Sequence, residues 1–199
     1  MTTRDRILDA AARIMRTEGV ARATTKEIAR EAGFSEATLY THFSDKADLF
    51  KGVLRERMPS LVTTLEQLHD RRGQGSVRAN LVEVTIAALA FYEDSLPMTA
   101  GLFAERRRLD DHVAGLRRSG GGPGVPRDML AHYLRAEQQA GRIGADVVPG
   151  AAAELLLGAC LQRALVSAFS DDPVPDHTAT AQALVDTLLA GIAGGERGA

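Results

Sequence analysis

The sequence is poor in cysteine and aromatic residues, with one cysteine, no tryptophan and 5% aromatics in 199 residues. A single cysteine, Cys160, excludes an intrachain disulfide framework and agrees with a reducing compartment. Charged residues interrupt the apolar N-terminus, and no uncharged apolar run approaches 18 residues. We therefore expect a cytoplasmic protein with neither a signal peptide nor a membrane span.

Lysine is also scarce, and its placement is uneven. Lys26, Lys46 and Lys51 all lie in the first 58 residues, which carry eleven lysines and arginines against nine acidic residues. The remaining 141 residues carry thirteen basic residues against seventeen acidic ones, within a net charge of −2. DNA affinity depends on where the positive charge lies, so the asymmetry suits either a DNA-binding head or an ordinary solvated surface.

Alternating strand patterns are missing too, whereas a 3.6-residue apolar period recurs along the whole chain. This period predicts an all-α protein of about nine helices. The length suits a small head on a larger body. We place a three-helix head at residues 1–50, with a connecting helix to about residue 70, and a C-terminal domain at residues 71–199.

Capping signals predict the first two helices. The first helix, 3–18, has a single apolar stripe and ends at Gly19. Thr24 and Glu27 have the spacing of a capping box that opens the second helix, which ends at Gly33. Ser35 caps a short third helix at residues 36–43. The other predicted helices cover residues 45–69, with Pro59 as a kink or a break, 77–92, 98–109, with a continuation to residue 118 as the alternative, 127–141, 149–170 and 176–193.

Residues 24–46 predict a helix-turn-helix unit, in which one helix braces the DNA backbone and the next lies in the major groove. Gly33 is expected to have a positive φ in the turn, and Leu39 and Phe43 to face inward. Ala37 and Thr41 are predicted to read bases, while Glu36 either accepts from a cytosine amino group or only caps its helix. The full predicted contact set is Thr24, Thr25, Lys26, Ser35, Glu36, Ala37, Thr38, Tyr40, Thr41, His42 and Lys46.

The segment TTKEIAREAGFSEATLYTHFSDKADLF, residues 24–50, closely resembles the DNA-binding signature of TetR/AcrR-type transcriptional regulators. The helical remainder resembles that family more loosely. The resemblance implies a body that binds a small-molecule effector and pairs with a second copy, and it implies repression of the target genes. We therefore expect a homodimeric repressor that an effector releases from a near-palindromic DNA operator. Glu36 stands where a lysine or arginine is frequent in the family.

Residues 155–169 are apolar in nearly every direction, so one face remains after the helix has covered its own core. With the last helix, this segment predicts an intermolecular four-helix bundle about a two-fold axis. A helix central to a single protomer is the alternative. The predicted interface is Leu157, Leu161, Ala164, Leu165, Ala168, Leu184 and Leu188.

The helix predicted at residues 77–92 is expected to lie at the centre of the C-terminal domain. Aromatic, methionine and histidine side chains on and near it predict an effector pocket. Core packing is the other interpretation of each of them. The predicted set is Phe91, Tyr92, Met98, Phe103, Met129, His132 and Tyr133.

An enzyme is the alternative function, and a purely structural helical dimer is a third. The glycine-rich stretch at residues 120–124 lacks the lysine of a phosphate loop, and the five histidines lack metal-ligand spacing. No nucleophile has a base nearby in sequence. We predict neither catalysis nor a metal or cofactor, and we expect Cys160 to be inert core.

Overall fold

The computed structural model describes residues 1–58, 61–104, 106–118, 120–170 and 176–191. Within these ranges it has ten α-helices, one 3₁₀ turn and no strand, so the all-α prediction is confirmed. The helices are α1 (Thr3–Glu18), α2 (Thr25–Ala32), α3 (Glu36–Tyr40), α4 (Lys46–Glu56), α5 (Leu61–Asp70), α6 (Val77–Ala100), α7 (Arg106–Arg118), α8 (Val125–Gln139), α9 (Pro149–Ser167) and α10 (His177–Ala190). The helix predicted for residues 45–69 is two helices, α4 and α5. Pro59, the predicted break, lies outside the described residues.

The helices form two compact units. Unit one comprises Met1–Ser60 and Asp94–Pro123, and unit two comprises Leu61–Glu93 and Gly124–Ala199. Residues 94–123, which the sequence analysis assigns to the C-terminal domain, pack with the head. The predicted functional boundary between a DNA-binding and an effector-binding domain stays a prediction.

Two capping boxes fix the starts of α1 and α2. Thr2 and Asp5 exchange hydrogen bonds at the start of α1, and Thr24 and Glu27 do so at the start of α2, as predicted. The bonds that each carboxylate accepts lower the pKa of Asp5 and of Glu27 below the usual range. Both helix starts therefore depend on ionised acids.

The core of unit one lies among α1, α2 and α4 and includes the inward side of α3. Leu39 and Phe43 are buried, as predicted. The α4 helix also packs against α7, where His112 lies edge-on to Phe50 with 4.9 Å between ring centroids. A Cβ on Gly115 would overlap the Cβ of Ala47, so glycine permits this close approach of α7 to α4.

The core of unit two lies mainly between α8 and α9. Beside the turn that follows α5, this core also contains a buried carboxylate, that of Glu137. Glu137 is fully buried, accepts the Gly73 amide at 2.8 Å and pairs with the Arg142 guanidinium at 2.9 Å. The Tyr133 hydroxyl accepts a bond from the Asn80 side chain at 2.9 Å. These bonds tie the turn to α8. The buried Oε2 oxygen of Glu137 is compensated by the charge of Arg142 and accepts no hydrogen bond from the described residues.

The helix predicted from residue 98 starts too early, whereas its alternative end at residue 118 agrees with the end of α7. The α6 helix continues through Pro97 to Ala100, a 3₁₀ turn follows at Gly101–Ala104, and α7 is a separate helix. Pro97 removes one helix donor. Burial of Met98, whose carbonyl also accepts the Val20 amide at 2.7 Å, favours the continuation.

The two C-terminal helices agree with prediction over most of their length. Residues 192 and 193, the end of the predicted last helix, lie outside the described residues. By length and composition, α9 is apolar enough to cross a membrane, although the sequence analysis predicts no span. A helix covered on both faces in a helical assembly has the same composition.

Candidate nucleic-acid interface

The turn between α2 and α3 is held by backbone bonds and by α1. Gly33 adopts φ +77° and ψ 32°, the left-handed conformation predicted for it. The Phe34 amide donates to the Ala29 carbonyl at 2.9 Å. The Arg6 guanidinium lies over the Phe34 ring, 4.7 Å from its centroid, and donates to the Ala32 carbonyl at 2.9 Å. The turn therefore sets the angle of α3 rigidly relative to α2.

The orientation of α3 follows from one cap and one buried side chain. Ser35 caps the helix by accepting the Thr38 amide at 3.1 Å, and Leu39 is fully buried. Ala37, Tyr40, Thr41 and His42 are consequently exposed, while Thr38 is half-buried. These residues form the outward face of the helix-turn-helix.

The regular part of α3 ends at Tyr40, three residues before the predicted end. The last turn tightens, because the His42 amide donates to the Leu39 carbonyl, three residues back, at 3.0 Å. Phe43 still donates to the Leu39 carbonyl and stays buried. The outward face thus runs past the helix end through Thr41 and His42.

Hydroxyl groups on this face have partners within the protein. The Thr25 hydroxyl donates to a Glu36 carboxylate oxygen at 2.5 Å and lies 3.3 Å from the Tyr40 hydroxyl. The Thr41 hydroxyl donates to the Thr38 carbonyl at 2.7 Å. Thr25, Glu36 and Tyr40 therefore form one connected cluster, the Thr25 cluster, that bridges α2 and α3.

Lys46 lies at the first position of α4 and is half-buried. The preceding residue, Asp45, caps the helix, and the bond it accepts from the Asp48 amide lowers its pKa, as does its pairing with Arg118. Burial of His112, and then the charge of Lys46, lowers the pKa of the His112 imidazole. Lys46 therefore sits where α4 and α7 meet.

An open groove of about 760 Å³ crosses the head beside α2 and the turn. Its lining contains four predicted contact residues and also Arg30, an exposed cation that the sequence analysis missed. The signal was present, since Lys26 and Arg30 are four residues apart on one helix and share a face. The lining is Thr24, Lys26, Glu27, Arg30, Gly33, Phe34, Ser35 and Glu36.

The predicted effector residues do not all lie in one unit. Met98 and Phe103 belong to unit one, and Phe103 is 72% exposed. The other five belong to unit two. Phe91 and Tyr133 are buried, Tyr92 and Met129 are half-buried, and His132 is exposed and stacked on His69.

The titratable side chains around α6 have no sign of chemical reactivity. Burial raises the pKa of the Tyr92 hydroxyl to about 12 and that of the Cys160 thiol to about 12. A fully buried thiol with such a pKa is chemically inert. Among the described residues, no cluster of three or more histidine, cysteine or acidic side chains is suited to a metal ion.

The predicted interface residues divide into three groups by their exposure. Leu157 and Ala164 are buried within their own unit and do not lie on the outer face of α9. Leu161, Leu165 and Ala168 are exposed. On α10, Leu184 and Leu188 are half-buried. The outer face of α9 also has three residues that the prediction missed: Leu155, Val166 and Phe169.

A protein-family model described as "Bacterial regulatory proteins, tetR family" matches residues 7–53, which contain α2, the turn and α3. A crystal structure of the TetR family transcription regulator SCO0332 covers 98% of this chain and is itself covered completely, with a TM-score of 0.64 and 26% identity. The head of this chain, residues 7–53, is therefore that of the TetR family. The proteins that carry this likeness are regulators, in agreement with the prediction of a chain that is not an enzyme.

Two further comparisons concern a curated protein and a solved structure. The nucleoid occlusion factor SlmA of Vibrio campbellii is 34% identical over 116 residues, which are 55% of this chain and 58% of that protein. The chain thus spans little more than half the length of the curated relatives it matches. FadR of Bacillus subtilis, solved in complex with stearoyl-CoA, is 18% identical, with a TM-score of 0.65 over 95% of this chain and 99% of that one. This second likeness concerns the fold alone.

Proposed function

We propose that this chain is a homodimeric, cytoplasmic TetR-family repressor that binds a near-palindromic DNA operator and leaves it when a small-molecule effector binds. The outward face of α3, held in place by the buried Leu39 and by the rigid turn at Gly33, carries the proposal. A short helix presented in this way suits the major groove.

The contacts divide by chemistry. Thr24, Thr25, Lys26, Ser35, Thr38, Tyr40 and Lys46 would position the backbone of the DNA, and the exposed Arg30 extends this set. Ala37 and Thr41 would meet base edges, with His42 beside them. Thr41 would present its methyl group, because its hydroxyl already donates to Thr38.

A second copy would cover the outer face of α9. Five large apolar side chains on this face are between 42% and 87% exposed: Leu155, Leu161, Leu165, Val166 and Phe169. Exposure of so many large apolar side chains is unfavourable in water, and pairing about a two-fold axis would remove it. The half-buried Leu184 and Leu188 of α10 would complete the interface.

Effector action requires only that the effector bind more tightly to the state that cannot bind DNA. We propose a site in unit two around Tyr92, Phe91 and Tyr133, with Met129 and His132 at its edge. The residues predicted on the other unit, Met98 and Phe103, fit this site less well. Stearoyl-CoA is the ligand of the FadR structure, and the effector of this chain stays unassigned.

The test begins with selection of sequences from a randomised DNA duplex library by the purified protein, followed by footprinting of the selected sequence. We expect two half-sites related by two-fold symmetry, with centres about 34–36 Å apart or a multiple of that distance. A Thr41→Ala variant should change the preferred base at one position in each half-site. Failure to select any sequence would contradict the proposed function, as would a footprint without two-fold symmetry for the dimer.

A further inference from the structure

In the Thr25 cluster, the hydrogen-bonding capacity of each group determines which group donates and which accepts. A carboxylate only accepts, so the single hydroxyl proton of Thr25 goes to Glu36, at 2.5 Å. In the 3.3 Å contact with Tyr40, Thr25 can then only accept, and the Tyr40 hydroxyl is the donor. The Thr25 proton thus points to the carboxylate of Glu36, and the Tyr40 proton points to the Thr25 oxygen.

Thr25 and Tyr40 are two of the hydroxyl residues proposed to contact the DNA backbone. In the protein alone, the Thr25 proton is bound to an internal anion that resembles phosphate in charge and in accepting capacity, and the Tyr40 proton is bound to the Thr25 oxygen. A phosphate that approaches must take the Thr25 proton from Glu36 and must also come close to a like charge. Glu36 therefore competes with the DNA backbone for the same proton.

We infer, on the basis of the proposed function, that Glu36 is a specificity-determining residue that weakens backbone-only binding and is relieved only by a base that donates to it. Phosphate and sugar oxygens of duplex DNA offer a carboxylate no donor. Two bases offer a donor in the major groove, through the N4 amino group of cytosine and the N6 amino group of adenine. The adenine amino group lies beside the N7 acceptor, which repels a carboxylate, so cytosine is the favoured partner of Glu36. Glu36 is the first residue of α3, and the N-terminal residues of the recognition helix are those that contact base edges.

On DNA, the Thr25 cluster exchanges its hydrogen bonds in two steps, and we call this exchange the relay. A cytosine amino group binds the Glu36 carboxylate and replaces the Thr25 hydroxyl as its donor. The Thr25 and Tyr40 hydroxyls can then turn to the phosphate. At a site without cytosine at this position, the first step is missing, so Thr25 stays bound to Glu36 and Tyr40 stays bound to Thr25.

Glu36→Gln is the direct test, and Glu31→Gln is its matched control. Both substitutions remove one negative charge from the head. Glu31 is exposed, pairs with Arg13 at 3.0 Å and lies outside the Thr25 cluster. Each protein is measured in two ways: by selection from the randomised duplex library, and by fluorescence anisotropy on an alternating A-T duplex, which contains no cytosine, at one fixed salt concentration.

We expect the native sequence to select cytosine at one position of each half-site and Glu36→Gln to lose that preference. Glu36→Gln should also bind the A-T duplex about fivefold more tightly, the effect of removing one like charge near contact distance in water. Glu31→Gln should keep the cytosine preference and gain less affinity.

A double-mutant cycle separates the relay from plain charge repulsion. In a Thr25→Val background there is no Thr25 proton to release, so the gain from Glu36→Gln should shrink markedly. Melting temperatures of all four proteins show whether each is folded. An equal gain in both backgrounds would overturn the inference.

The same data separate this inference from the proposed function. If the native protein selects an operator and Glu36→Gln selects the same one with the same preference, only the inference fails. If the folded native protein selects no sequence, the proposed function fails and the inference fails with it.

Discussion

At the scale of single residues, the outward face of the head is already hydrogen-bonded before DNA arrives. Thr25 is bound to Glu36, Ser35 to Thr38, and Thr41 to the Thr38 carbonyl. Side chains that are ordered in advance lose less conformational entropy on binding. The lysines and arginines around this face attract the DNA phosphates over a longer range.

Lys46 is expected to act through charge rather than through base recognition. Lys46→Ala should weaken binding to all sequences by a similar factor and reduce the slope of log K against log salt by about one, because one phosphate contact is lost. Titrations over a series of salt concentrations measure the slope. The control is Arg127→Ala, which removes a cation that pairs with Asp128 and Glu154 in unit two. An unchanged slope for Lys46→Ala would contradict the assignment.

At the scale of elements, the α2–α3 turn is the part of the head least tolerant of substitution. Gly33→Ala should destabilise the protein by about 1–2 kcal/mol, because an L-residue pays this in the left-handed region. The new Cβ would also lie 3.0 Å from the Arg6 guanidinium. Urea unfolding measures the loss.

Gly150→Ala is the matched control for the turn. Gly150 lies in the first turn of α9, and a Cβ there meets nothing within 4 Å. This substitution should leave the free energy of unfolding unchanged or raise it slightly. Equal destabilisation by both substitutions would show that the turn has no special requirement.

The α4–α7 contact should make stability depend on pH. Burial and the charge of Lys46 lower the pKa of His112 in the folded state, so the unfolded chain binds the proton more readily. Stability is then full above the ordinary histidine pKa of about 6.5 and falls as the pH drops from there towards the lowered folded value.

Urea unfolding at about pH 7.5 and about pH 5.5, on either side of the ordinary histidine pKa, measures this dependence. His112→Gln should reduce the difference in unfolding free energy between the two pH values. His42→Gln, at an exposed position on the outward face, should not. An undiminished difference in His112→Gln would place the pH dependence on other groups.

Local signals in the sequence predicted the head well, and signals that depend on packing misled. The capping box at Thr24 and Glu27 and the positive φ of Gly33 follow from a few neighbouring residues. The course of α6 through Pro97 does not, because buried contacts outweigh the lost hydrogen bond. The predicted interface on α9 includes the buried Leu157 and Ala164, because a helix that is apolar on all sides does not indicate which side faces its own core.

At the scale of the whole molecule, self-association is the expected consequence of α9. The double substitution Leu161→Glu and Leu165→Glu should yield a monomer, because two carboxylates would have to be desolvated in the interface. Sedimentation equilibrium measures the mass, and circular dichroism shows whether the helices persist. Arg135→Glu, at an exposed position of α8, is the control and should remain a dimer. A double variant that stays dimeric and folded would exclude this face.

Unit one is discontinuous, and this has a consequence for synthesis of the chain. Translation proceeds at about 5–20 residues per second, so α4 leaves the ribosome several seconds before α7. During that interval the side of α4 formed by Ala47 and Phe50 lacks its cover from Gly115 and His112. The nascent head must therefore wait, partly uncovered, while residues 61–93 of the other unit are made. The rate at which that stretch is translated sets how long this side of α4 stays uncovered.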